Sequence, residues 1–507
     1  MKRRVVFDIC RVLLVLLGVS SAQAELHLSG IFSDHMVLQR DRPVRFWGAA
    51  SAESTVLIEF ADQEQSTQAD AEGRWSLTLT PLQANVIGQE CLVRANDEVI
   101  RLQDVLVGDI WHASGQSNMA MTMAAVARRL DVATQDMAKA KEWPLRYRRI
   151  REGPATTAKS EIPRGNGWQV ASPESAAKFS AVAFYFARRL HDDLGVPIGI
   201  IDTSRGGTPI EPFIPREAFV EHPTLIRELE LGDADDLPGL WKLPGGVRAR
   251  DANWLPGRLF HSRLAPIVRF AVRGTIWYQA ESNCGKGEDP RDYQHKMRAL
   301  IKGWRSAFDE PEMPFYFVQL PGSGAGPNWP YMREQQRLST DLPHTGMAVT
   351  IDLLDNDIHP PNKMDVGDRL ARWALADTFG KEVSKSGPWF ERATVEGETL
   401  TLHFSHAETG LMVATKEGLE PPKESPDAEL AHFEIATASG TWYPAQAAIR
   451  ENTVVVSSSE LSQPVAVRYG YAIDPQHCYL YNRAGLPASP FCSDPALLTC
   501  NPGLPTD

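Results

Sequence analysis

Residues 104–119 read Asp104-Val105-Leu106-Val107-Gly108-Asp109-Ile110-Trp111-His112-Ala113-Ser114-Gly115-Gln116-Ser117-Asn118-Met119. The first half is a short, mostly apolar run of the kind a strand buried on both faces requires. The second half turns to small and amide residues and leaves Ser117 at a strand end, just before a predicted helix. Comparable runs at Val196–Ile201, Val272–Tyr278, Pro314–Leu320 and Gly346–Leu353 alternate with helix-like stretches such as Ala176–Leu194 and Tyr293–Phe308. Strand-then-helix alternation predicts an α/β fold, a parallel sheet covered on both faces. In such sheets ligands bind beyond the C-terminal strand ends, so the residues just after each run carry the most information.

Outward from this region the pattern changes on both sides. Val56–Phe60, Trp75–Leu79 and Glu98–Leu102 are strand-like runs between turn residues and predict a small sandwich. Thr399–Phe404, Ala431–Ile435, Thr453–Val456 and Pro464–Arg468 predict a second sandwich-like unit. The expected organisation is a leader over 1–24, an N-terminal β domain over 25–103, the α/β domain over 104–383, and a C-terminal β domain with its tail over 384–507. The 507 residues allow about three domains at roughly 150 residues each.

The first 24 residues read as a secretory signal: Lys2, Arg3, Arg4 and Arg11 are basic, Val12–Val19 is apolar, and Ala22-Gln23-Ala24 fits a cleavage site. A cut after Ala24 removes four basic residues and one acidic one, taking the formal charge from −12 to −15. That predicts a periplasmic or secreted protein with an acidic surface, which argues against nucleic acid and anionic membranes as partners. No apolar run is long enough for a membrane-spanning helix. The mature chain keeps Cys91, Cys284, Cys478, Cys492 and Cys500. Cys492 and Cys500 are near enough to close a small loop, with five free thiols as the alternative. No Cys-x-x-Cys pair suggests a zinc ribbon, and no metal or other cofactor is expected.

Four strand ends carry chemistry. Ser117 follows the first. Thr203-Ser204-Arg205-Gly206-Gly207 follows the second, where paired glycines let backbone N–H groups meet a ligand or simply make a tight turn. Gln279-Ala280-Glu281-Ser282-Asn283 follows the third, where Asn283 could donate to an oxyanion or satisfy its own turn. Leu354-Asp355-Asn356-Asp357-Ile358-His359 follows the last, a histidine among carboxylates as a general base and its orienting acid need. Each alone is weak. Together they place nucleophile, backbone donor, amide donor and base at one face of one sheet.

Gly115-Gln116-Ser117-Asn118-Met119, Trp277-Tyr278-Gln279-Ala280-Glu281-Ser282-Asn283 and Asp357-Ile358-His359-Pro360 resemble the signature blocks of the sialate O-acetylesterase family, a branch of the SGNH hydrolases. Phe32–Arg40 and Leu486–Phe491 resemble that family's two ends, so the likeness spans nearly the whole mature chain. It implies a three-layer parallel-sheet hydrolase flanked by β-sandwich-like domains, removing O-acetyl groups from sialic acid or related sugars. Ser117 would be the nucleophile and His359 the base, with Ser117, Asn283 and one of the paired glycines, Gly206 before Gly207, forming the oxyanion hole. Asp357 is the first choice for the orienting acid, with Asp355 and Asp352 behind it and a backbone carbonyl as the remaining option. Gln116, Arg205, Gln279 and Glu281 are candidate substrate contacts. Trp329, Arg333 and Glu334, expected in a loop, are substrate contacts or surface residues. Two departures stand out: Ala280 replaces the family's usual Gly, and Arg205 replaces a common Trp.

Three competing functions remain open. The same chemistry on acetylated xylan or another plant glycan is nearest, and the 13 Trp suit any sugar. A non-catalytic carbohydrate-binding protein on this fold is disfavoured by Ser117, Asn283 and His359 occurring together. A lipase or peptidase is disfavoured because no Gly-x-Ser-x-Gly elbow surrounds Ser117.

Overall fold

The computed structural model describes residues 25–500 apart from 235, 237–238, 241–242, 244–251, 285–288, 354 and 356. The expected leader over 1–24 and the last residues, 501–507, lie outside the described residues. The fold is mixed α/β with several sheets.

At its centre the strands run in the order Gln169–Val170, Leu145–Arg149, Ile198–Asp202, Glu98–Gly115, Gly274–Tyr278, Phe315–Val318 and Thr345–Ala348. All neighbours pair in parallel except the first two, which are antiparallel at the edge. The strand bearing Ser117 at its end is therefore central. Those leading into the glycine loop and the Asn283 turn flank it directly.

Glu98–Gly115 is a single strand with two characters. Its first part pairs antiparallel with Asn85–Ala95 and alternates in exposure, while from Val105 onward every residue is buried. The change follows the sequence, alternating in Ile100–Gln103 and small or apolar nearly throughout Val105–Gly115. Among the described residues, one continuous cluster of buried apolar side chains runs from Leu26 through this sheet to Phe491.

The expected helices form, the first starting at Ala181 rather than Ala176. Ala181–Leu194 is capped by Ser180 and ended by Gly195 in the left-handed conformation. It packs against Lys363–Trp373, where Gly367 allows contact: a Cβ there would meet the Phe186 backbone N at 2.7 Å. Tyr293–Ala307 is the other. The helix after Ser117 is only one turn, Ser117–Ala120. Beyond residue 384, Trp389–Glu396, Thr399–Ser405, Trp442–Arg450 and Thr453–Ser457 join a seven-stranded sheet. Among the described residues Cys91, Cys284, Cys478, Cys492 and Cys500 form no disulfide, so no Cys492–Cys500 loop closes.

Candidate active site

Ser117 owes its position to Gly115. That glycine has φ +130°, and a Cβ on it would lie 2.1 Å from the Tyr278 carbonyl oxygen. The strand end thus presses against its neighbour with no room for a side chain. The Gln116 N–H donates to the Tyr278 carbonyl (2.9 Å) and the Arg205 N–H to the Gly115 carbonyl (2.9 Å). Both flanking loops are tied to the turn that presents the serine.

His359 Nε2 lies 2.8 Å from Ser117 Oγ, a contact between residues 242 apart in sequence. With the serine hydroxyl donating, the histidine proton sits on Nδ1, which faces Asp357 Oδ1 at 3.9 Å. That gap is an ion contact rather than a hydrogen bond. Asp357 Oδ1 instead accepts from the His359 backbone N–H (2.9 Å), and its other oxygen accepts from Arg129 (2.8 Å). Burial works against the Asp357 anion, but these two donors outweigh it and hold the carboxyl below its ordinary range. Asp355 also pairs with Arg129. Asp352 is bound two-pronged by Arg369 (2.6 and 2.7 Å) and by the Tyr481 hydroxyl (3.2 Å). His359 is pushed below the usual histidine range by burial first and by Lys363 second, with Asp357 opposing. A neutral imidazole at moderately acidic pH is what a general base needs.

Gly206 is beside Ser117: a Cβ on it would stand 3.7 Å from Ser117 Cβ. Asn283 is buried, its Nδ2 donating to Glu211 (3.0 and 3.3 Å) and its Oδ1 accepting from the Ile210 N–H and Gln279. One hydrogen of its amide satisfies Glu211, leaving the second for any other acceptor. Gln116 Nε2 is 3.5 Å from Ser117 Oγ, while its oxygen accepts from Gln279 and the Ser282 N–H. Gln279 is fully buried and hydrogen-bonded to Tyr293, Gln116, Asn283 and the Thr208 carbonyl, a brace rather than an exposed contact. Glu281 is likewise buried, accepting from Asn118 and the Ala280 N–H, and burial raises its carboxyl above the usual range. Only Arg205 of the four candidate contacts is accessible, its guanidinium 5.0 Å over the Trp254 ring.

Trp329, Arg333 and Glu334 are corrected outright. They lie on the helix Trp329–Leu338 and all three are buried. Trp329 and Arg333 donate to the Pro321 carbonyl, and Glu334 pairs with Arg337. Their polarity suggested a surface, but long polar side chains are readily buried when backbone carbonyls take their donors.

Several residues at the site escaped the sequence. Arg129 gathers Asp355, Asp357 and the His359 carbonyl (3.1 Å). Lys363, wholly buried, donates to Asn118. Lys296, also buried, pairs with Glu211 and with Glu228 (2.7 Å). The one available signal was a lysine four positions after His359. Elsewhere His222, Asp292 and His295 offer three ligand atoms within 4.8 Å of one another, a group that could hold a metal and that was not anticipated. His222 Nδ1 there accepts from the Thr224 N–H, capping the helix Pro223–Asp233.

Residues 245–376 match the family described as carbohydrate esterase, sialic acid-specific acetylesterase. Sialate O-acetylesterase of Homo sapiens is 27% identical, across 94% of this chain and 94% of that protein. The Rattus norvegicus protein of the same name is 26% identical over 94% and 96%. A crystal structure of a carbohydrate acetylesterase from Xanthomonas citri superposes with TM-score 0.80 at 32% identity, covering 92% of this chain and 99% of the other.

Proposed function

The chain belongs to the sialate O-acetylesterase family of carbohydrate esterases and removes O-acetyl groups from sugars, and we propose that Ser117 and His359 carry out that hydrolysis with sialic acid as the acetyl carrier. The observation that carries the assignment is the 2.8 Å contact between His359 Nε2 and Ser117 Oγ. His359 takes the hydroxyl proton as Ser117 attacks the acetyl carbonyl. The resulting oxyanion rests on the N–H groups of Ser117 and Gly206 and on the second amide hydrogen of Asn283. Protonated His359 gives its proton to the departing sugar oxygen. Water, deprotonated by the again neutral imidazole, then attacks the acetyl-enzyme and releases acetate and free serine. Asp357 orients the imidazole through Nδ1 at ion-contact range, supported by Arg129.

Sialic acid is favoured over a neutral sugar by Arg205, an accessible cation beside Gly206 that a substrate carboxylate would meet. Acetylated xylan is the second candidate, since the Xanthomonas citri relative is described only as a carbohydrate acetylesterase. We propose further that residues 104–383 form an SGNH-type three-layer hydrolase domain between a β-sandwich-like domain over 25–103 and a C-terminal β domain with its tail from 384 onward. Export through a leader cut after Ala24 completes the proposal. Among the described residues no helix is long and apolar enough to cross a membrane.

The test is acetate release from O-acetylated sialic acid and from acetylated xylan, with Ser117→Ala in parallel. Sialate-selective release that disappears in the variant is expected. Release from xylan alone replaces the sugar and keeps the mechanism, and equal release by wild type and variant overturns the nucleophile. Asn283→Ala should slow turnover by the equivalent of about 2.7–4 kcal/mol, and a folded variant with unchanged kcat removes it from the oxyanion hole.

A further inference from the structure

Directly behind the reacting pair lies a closed polar network that the mechanism does not use. Asn118, the residue after the nucleophile, is wholly buried, and its amide is bonded at both ends. Its Nδ2 donates to Glu281 and to the Ile358 carbonyl (2.8 Å), the carbonyl immediately before His359. Its Oδ1 accepts from Lys363 Nζ. The Ile358 carbonyl can only accept and the ammonium form of Lys363 can only donate, so the amide has one allowed orientation. The second oxygen of Glu281 accepts from the Ala280 N–H (2.9 Å), and Lys363 Nζ stands 5.2 Å over the Tyr278 ring. Three loops that are distant in sequence are thus joined through one side chain beside Ser117.

We propose that Asn118 and Lys363 are positioning residues: with Glu281 they clamp the His359 loop onto the turn that carries the nucleophile. The proposal rests on Ser117 and His359 being the reacting pair. The His359 loop comes from beyond the edge strand Thr345–Ala348, and among the described residues no regular element delivers it to Ser117. The Ile358 carbonyl is where the clamp takes hold. Because the bonds are buried, removing one leaves its partners unsatisfied and frees the loop to shift. Lys363 acts on His359 a second way, as a nearby charge. The imidazole faces Lys363, Arg129 and Asp357 beside the serine hydroxyl, and Lys363 in turn faces Glu281, Asp357 and Arg129. The Tyr278 phenol, driven well above its usual range by burial, stays neutral. The Lys363 cation therefore opposes protonation of the base.

The experiment measures kcat, KM and the pH profile of kcat/KM on a small aryl acetate, with thermal unfolding of each variant. Asn118→Ala should lower kcat by about 10- to 100-fold through lost alignment, with KM within about two-fold. Lys363→Met should lower kcat by about 10-fold and move the acid limb to higher pH. Lys363→Gln keeps a donor for Asn118 without the charge, so it should regain most of kcat while keeping the displaced limb. A folded Asn118→Ala with kcat within about two-fold of wild type overturns the clamp. A Lys363→Gln as slow as Lys363→Met also overturns it, because the effect then belongs to charge alone. If Asn118→Ala does not fold, Asn118→Asp carries the test with the same thresholds, keeping the acceptor for Lys363 and losing the donor to Ile358. Should Lys363→Met fail to fold, Lys363→Gln is judged against wild type. Ser117→Ala separates the two levels. If it stays active, the reacting pair is wrong. If it is inactive while the other variants run at wild-type rates, only the clamp is wrong.

Discussion

Two lysines, Lys296 and Lys363, are equally buried on either side of the candidate site, yet burial has opposite outcomes for them. Around Lys296, burial disfavours the ammonium, but Glu211 and Glu228 in direct contact outweigh it and raise the lysine above its ordinary value. Around Lys363 the first neighbour is the neutral Asn118, with Glu281 beyond it. Burial wins there and pushes the lysine down to about 7. A carboxylate in contact is worth about 4 kcal/mol at an effective dielectric near 20, enough to offset a shift of about three pKa units, so one intervening amide decides the sign. The lesson is functional. The Lys296 cluster is a fixed ion group that holds Asn283 through Glu211. The Lys363 cluster is a labile charge placed next to His359.

The largest expected effect separates them by stability. Lys296→Met leaves Glu211 and Glu228 buried without their cation and should cost about 3–5 kcal/mol, read from denaturant midpoints. Lys363→Met loses a hydrogen bond but also an unfavourable buried charge, so its cost should stay within about 2 kcal/mol. Equal losses would break the comparison and make Lys363 a structural ion like Lys296.

A smaller effect is the slope of stability against pH. Lys363 binds its proton less well folded than unfolded, so between pH about 7 and its ordinary value the unfolded chain holds more protons, and its contribution to stability rises with pH. Lys296 is shifted upward, so its contribution is complete below the ordinary lysine value and falls only above it. Wild-type minus Lys363→Met unfolding temperatures from pH 6.5 to about 9.5 should therefore climb. A flat line sinks the claim that Lys363 is the labile one.

This contrast also marks what was legible in the sequence. Apolar runs between helical stretches revealed the parallel sheet, and the strand-end rule then put Ser117, Gly206, Asn283 and His359 on one face, because those features are local. Leu145–Arg149 escaped notice as a strand because Arg146 and Arg148 resemble solvent-facing residues. Both are buried, Arg148 donating to the Gly30, Pro163 and Gly167 carbonyls. The two lysine clusters were invisible for a related reason. Lys296 meets Glu211 across 85 residues and Lys363 meets Asn118 across 245, so only the folded chain defines the environment that sets their charge.

The two clusters meet in the turn Gln279–Asn283, where Glu281 answers to Asn118 and Lys363 while Asn283 answers to Glu211 and Lys296. Just before Glu281, Ala280 is held at φ +153°, a conformation suited to glycine, with its methyl wholly buried. Ala280→Gly relieves strain of about 1–3 kcal/mol but gives up a buried methyl, about 0.8 kcal/mol, and adds about 0.5–1 kcal/mol of chain entropy, so the terms nearly cancel. Stability should change by less than about 1.5 kcal/mol, and kcat by less than about three-fold, if the clusters rather than residue 280 hold the turn. A ten-fold loss of kcat in folded Ala280→Gly would mean that the strained alanine itself sets the spacing between Glu281 and Asn283. The turn would then be a third determinant of the site, independent of either lysine.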